Sequence, residues 1–142
     1  MECIVRWTGG MTFLAETGSN HVVAMDGAAD GGGRNLAPRP MEMVLVGTGG
    51  CTAYDVMVIL KKSGQDVTGC EVSVNADRAD TDPKVFTRIH MLFKVRGRAL
   101  KPKTVEHAIR LSHDKYCSAS IMLGKTAEIT TGYEIIEEAA AA

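Results

Sequence analysis

An α+β fold is what this sequence predicts, on three observations. The run PMEMVLVGTGGCTAYDVMVILKK, Pro40 to Lys62, is too long for a strand and ample for a core helix. Short alternating apolar and polar segments precede it, and a longer pair of the same character follows it. A second helical pattern and one last strand then give the order strands, helix, strands, helix, strand.

Glu2 to Thr8 sets Cys3, Val5 and Trp7 on one side, as a half-buried strand should, and Gly9-Gly10 reads as a hairpin turn. Met11 to Glu16 and His21 to Met25 continue as short strands, parted by the turn residues Gly18, Ser19 and Asn20. Asp26 to Pro40, DGAADGGGRNLAPRP, is rich in glycine and proline and cannot pack by itself, so it is either a connector or a wall of the site.

Pro38 and Pro40 start the central helix, since proline at the first helical position forfeits no needed N–H. Glu42 suits the positive end of the helix, Lys61 and Lys62 suit the negative end, and Gly64 supplies the left-handed stop. Met43, Val44, Val46, Val56, Met57, Ile59 and Leu60 surround most of its circumference, which predicts cover on nearly every side. A membrane span is disfavoured, because Glu42, Asp55 and two adjacent glycines would have to enter hydrocarbon.

Gly69 to Ala79 and Lys84 to Gly97 read as an antiparallel pair, with Phe86, Ile89, Met91, Phe93 and Val95 as the apolar set of the second strand. Pro102 opens the second helix, where Val105, Ile109, Ser112 and Tyr116 keep helical spacing, and Gly124 ends it. Ala127 to Ile136 is the last strand, and 138–142 forms a helical extension or frayed tail. The chain reads as a single domain over 1–142, with a loop over 31–39, able to bury about two thirds of its unfolded surface.

A net charge of −1 with mixed signs argues against nucleic acid or an anionic membrane as partner. No basic head with a long apolar region follows Met1, so a cytoplasmic location with reduced thiols is expected. Cys3, Cys51, Cys70 and Cys117 stand far apart with no CxxC, which indicates neither a zinc site nor a disulfide framework; no metal and no cofactor are expected. The eight methionines read as adaptable packing.

Cys3 and Cys70, on strands, read as small buried hydrophobes. Cys51 follows Gly49-Gly50, and each mid-helix glycine costs about 1 kcal/mol relative to alanine. Close packing or access of a small substrate to the thiol must compensate. Cys117 sits in KYCSASIML, where serines can kink a helix or cap a new segment, and His113 lies one turn before it.

At these residues the sequence resembles the OsmC and Ohr superfamily (osmotically inducible protein C and organic hydroperoxide resistance proteins), and within it small OsmC-like proteins of the YhfA type. The resemblance spans nearly the whole chain, through the short first sheet, the Pro40–Lys62 helix, the long strand pair and the second-cysteine segment. It implies an OsmC-like fold, an intertwined homodimer with antiparallel sheets wrapped around long central helices and sites at the subunit interface. It also implies thiol-dependent reduction of organic hydroperoxides, with Cys51 as peroxidatic and Cys117 as resolving thiol, and a dithiol reductant such as a lipoyl group.

The family's peroxidases place an arginine beside the reactive sulfur and a glutamate, directly after the helix-opening proline, to hold it. Here Met41 takes that place and Glu42 comes one residue later. At about 100° per residue, Glu42 lies about 180° from Cys51 on a regular helix, which favours a role as a first-turn acid. Arg39 and Arg34 are the candidate activating cations, Arg6 a distant third, and Asp55 could orient one of them while itself opposing ionisation of the thiol. Ser118 stands where these peroxidases usually have proline. Two further readings stay open: a non-catalytic dimer binding a small apolar ligand, and a redox sensor.

Overall fold

The computed structural model describes residues 1–140. Two compact units divide the chain, one from Met1 to Val46 and one from Gly47 onward.

In the first unit β1 (Cys3–Gly9), β2 (Thr12–Thr17) and β3 (Val22–Met25) form an antiparallel sheet in the order β1-β2-β3. Gly9 and Gly10 both take positive φ, 112° and 56°, at the hairpin, a backbone that glycine adopts without steric cost. Arg6 reaches across the β1–β2 pair to Glu16 at 2.7 Å. One expectation fails here: Cys3, Val5 and Trp7 are exposed, so β1 lacks the half-buried face that its alternation predicted.

The glycine-rich segment is organised by Asp26, which is buried and accepts backbone N–H bonds from Gly27, Arg34 and Leu36. Those bonds, Gly27's foremost, pull its carboxyl below the ordinary range, helped by the charge of Arg34. The segment is therefore an ordered loop with one 3-10 turn at Ala29–Gly31.

Helix α1 runs Pro40–Lys62, the expected bounds. Its start is held by Glu42, whose carboxylate accepts the Arg39 backbone N–H at 2.9 Å, half of a capping box. Its end is closed by Gly64 at φ 70°. The buried positions Thr48, Thr52, Val56 and Leu60 recur every fourth residue, so one stripe faces inward. The expected all-round cover is not met within one chain: Val44, Val46 and Tyr54 are exposed. By length and composition alone α1 could cross a membrane, since an 18-residue window has a mean hydropathy of 1.6.

In the second unit β4 (Asp66–Arg78) and β5 (Phe86–Arg98) pair antiparallel, and β6 (Glu128–Glu137) joins β5 in parallel. This sheet is therefore mixed, not antiparallel throughout as expected: a parallel partner requires a long crossover, and the helical segment between β5 and β6 supplies it. Ile89, Met91, Phe93 and Val95 are buried on the central strand and form the core with Val56, Leu60, Val105 and Ile109.

The second helix is not continuous to Gly124. It divides into α2 (Pro102–Leu111), a π-turn at Ser112–Tyr116 and α3 (Ser118–Leu123). Residues 138–140 are not helical, which corrects one half of the tail expectation; 141–142 lie outside the described residues.

Candidate active site

Cys51 lies mid-way along α1, one turn before Asp55, so both side chains share a helix face. Cys117 comes from the break between the π-turn and α3. Its N–H bonds the Ser112 carbonyl at 2.8 Å, and its extended backbone makes it the cap residue of α3. There its Sγ accepts the Ser120 N–H at 3.4 Å. Ser120 Oγ in turn donates to the Cys117 carbonyl at 3.2 Å, so this serine ties the turn from both sides.

These elements bring together Cys51 Sγ, Cys117 Sγ and an Asp55 carboxylate oxygen, all within 4.8 Å of one another. Cys117 is fully buried and Cys51 is half-buried. Behind them Ser112 Oγ lies 2.9 Å from Thr52 Oγ1 and 3.3 Å from Asp55 Oδ2, a buried hydroxyl pair that fixes the carboxylate. Sequence patterns did not single out Ser112, Thr52 or Ser120 for this role. Their only signal was polarity at positions of helical spacing that should be apolar.

Burial pushes the Cys51 thiol above its ordinary value of 9.0, and the neighbouring Cys117 thiol and Asp55 carboxylate push it the same way. An N–H from Ala119 opposes them in part. No guanidinium is among these influences. Below the raised value the neutral thiol predominates, so alkylation of Cys51 by iodoacetamide should accelerate as pH rises, with its midpoint above 9.0. Asp55→Asn should move that midpoint down; an unchanged profile would refute the carboxylate's influence.

Of the candidate activating residues, Asp55 lies beside both sulfurs, and three of the others have partners elsewhere. Arg34 bears on Asp26, Glu42 caps α1 through Arg39, and Arg6 pairs with Glu16. His113, in the π-turn, has a buried Nδ1 without a hydrogen-bond partner among the described residues. Cys3 is exposed, against expectation, and Cys70 is half-buried, with burial raising its thiol. The glycine pair divides its labour: a Cβ at Gly49 would stand 3.1 Å from Val74 Cγ2, so that glycine serves packing, whereas a Cβ at Gly50 would meet nothing within 4 Å.

Residues 31–132 match the family model described as OsmC-like protein. The chain belongs to this family. It is 46% identical over 136 residues to Protein YhfA of Escherichia coli (strain K12), covering 96% of this chain and 98% of that one. A solved structure of a hypothetical protein from Aquifex aeolicus VF5 superposes with a TM-score of 0.85 at 27% identity, covering 97% of both chains. At 14% identity and a TM-score of 0.69, the fold is also shared with a Legionella pneumophila protein named as an organic hydroperoxide resistance protein and predicted redox protein, covering 94% of this chain and 97% of that one. The OsmC-like α+β fold expected from the sequence is thus established.

Proposed function

We propose that this OsmC-like protein reduces organic hydroperoxides with Cys51 and Cys117 as a redox pair. The observation that carries this reading is the placement of the two sulfurs within 4.8 Å of each other, one half-buried and one sealed beneath it. The Legionella pneumophila fold neighbour is named an organic hydroperoxide resistance protein, which is consistent with this substrate class.

The Cys51 thiolate attacks the outer peroxide oxygen; the O–O bond breaks, alcohol leaves after taking up a proton, and sulfur is oxidised to sulfenic acid. Cys117 then attacks that sulfur, its thiol proton passes to the departing hydroxide, and water leaves as the disulfide forms. In this reading Asp55, within 4.8 Å of both sulfurs and bonded by Ser112, relays this proton. A dithiol, of which a lipoyl group is one example, restores both thiols by exchange and becomes the oxidised partner.

Because burial holds the Cys51 thiol protonated, the first step is slow at neutral pH and faster in alkali. One equivalent of cumene hydroperoxide should convert reduced protein to a species 2 Da lighter, about the mass of two lost hydrogens, with the bridge mapped by peptide mass spectrometry to Cys51–Cys117. Unbridged thiols after peroxide treatment would favour the ligand-binding reading.

The active form is a homodimer in this proposal. Apolar Val44, Val46 and Tyr54 on α1, and Trp7, Ile4 and Val22 on the first sheet, are exposed in the single chain, and exposed apolar side chains of this kind suit a subunit interface. Sedimentation equilibrium should return twice the 15.2 kDa chain mass. Val46→Glu, neutral in a monomer, should halve it; a wild-type mass of one chain would dismiss the dimer.

A further inference from the structure

We propose that the reduced site binds a thiophilic divalent cation, zinc(II), through Cys51 Sγ, Cys117 Sγ and one Asp55 oxygen. The donor set is two sulfurs and a carboxylate oxygen within 4.8 Å of one another, supplied by two separate elements. Zinc takes sulfur at about 2.3 Å and carboxylate oxygen at about 2.0–2.2 Å, so the donors need close by only about 1 Å to reach tetrahedral spacing. Thiolate pairs select zinc over magnesium and calcium, which want oxygen alone.

Two of the proposed ligands already have a protein donor directed at them: the Ser120 N–H bonds Cys117 Sγ at 3.4 Å, and Ser112 Oγ bonds Asp55 Oδ2 at 3.3 Å. Such outer partners are what orient and hold metal ligands in built sites. Cys51 is partly open, which leaves the fourth position to water or to a further ligand.

The consequence for peroxide chemistry rests on the reading given above. Metal and hydroperoxide compete for the same two sulfurs. When two bound thiolates are oxidised to the disulfide they release two electrons; the hydroperoxide takes these with two protons, gives alcohol and water, and the ion departs. The site then couples the redox state of the thiols to retention of zinc.

The test is titration of the reduced, full-length protein with cobalt(II) under anaerobic conditions, followed by displacement with zinc(II). One equivalent per chain should give a thiolate-to-cobalt charge-transfer band and the strong visible bands of a tetrahedral ion, both erased by zinc. Cys51→Ser and Cys117→Ser should each weaken zinc by more than about a hundredfold, and Ser112→Ala, which removes only an outer partner, by about ten- to a hundredfold. Cys3→Ser should bind as the wild type does. Oxidation with diamide should abolish binding. No charge-transfer band in the reduced wild type, or an undiminished one in Cys51→Ser or after diamide, overturns the proposal. Cation binding by a protein that consumes no hydroperoxide would keep this site and sink the peroxidase; turnover without cation binding would do the reverse.

Discussion

Cys51→Ser is expected to abolish hydroperoxide turnover, lowering the rate by at least about a thousandfold, because the group removed is the proposed nucleophile. Cys117→Ser should behave differently. Its first oxidation needs only Cys51, so one equivalent of cumene hydroperoxide per chain should still be consumed, leaving a sulfenic acid that dimedone traps. The wild type should cycle in the presence of dithiothreitol or a lipoyl donor and yield almost no dimedone adduct, since Cys117 lies within 4.8 Å and condenses first. Equal rates in all three proteins would remove the catalytic proposal, whereas a wild type that forms the disulfide once without cycling would be a sensor. Ser118, in place of the family's usual proline, bears on this choice, as does the Asp55 carboxylate, which opposes ionisation of Cys51.

Phe93→Ala should be the most damaging core truncation. Phe93 is the largest of the fully buried side chains and sits on β5, the strand between β4 and β6. Removing a buried aromatic ring costs about 3–5 kcal/mol through lost transfer energy and the cavity left behind. Against a total stability of about 5–15 kcal/mol, that lowers the melting temperature by roughly 10 °C or leaves the chain unfolded. Thermal melts at one protein concentration would show it, with Met122→Ala, at an exposed position, changing stability by no more than about 0.5 kcal/mol. A shift for Phe93→Ala as small as that control's would mean that β5 is not the core strand.

The legible parts of this protein are those with a local or periodic signal. Proline at one end and two lysines and a glycine at the other marked α1 to the residue, because helix termini have unsatisfied backbone groups that particular side chains satisfy. Alternation marked β5 and its buried members, since a strand with one packed face must repeat every second residue. Glu42 as a helix-start acid followed from its angle to Cys51 and is borne out by its bond to the Arg39 N–H.

Alternation misled at β1, where it predicted burial that one chain does not provide for Cys3, Val5 and Trp7. The pattern reports which face is apolar, not what covers it. The same holds for α1, whose apolar circumference exceeds what its own chain packs against.

Residue types alone determined the central helix and the strands, because propensity, capping and periodicity act between near neighbours along the chain. Only the tertiary structure decided that β6 lies parallel to β5, that a π-turn resets the chain before Cys117, and that Ser112 and Thr52 anchor Asp55 beside both sulfurs. Those contacts join positions remote in sequence, and hydroxyl and carboxylate groups that meet through packing leave no repeating trace in the order of residues.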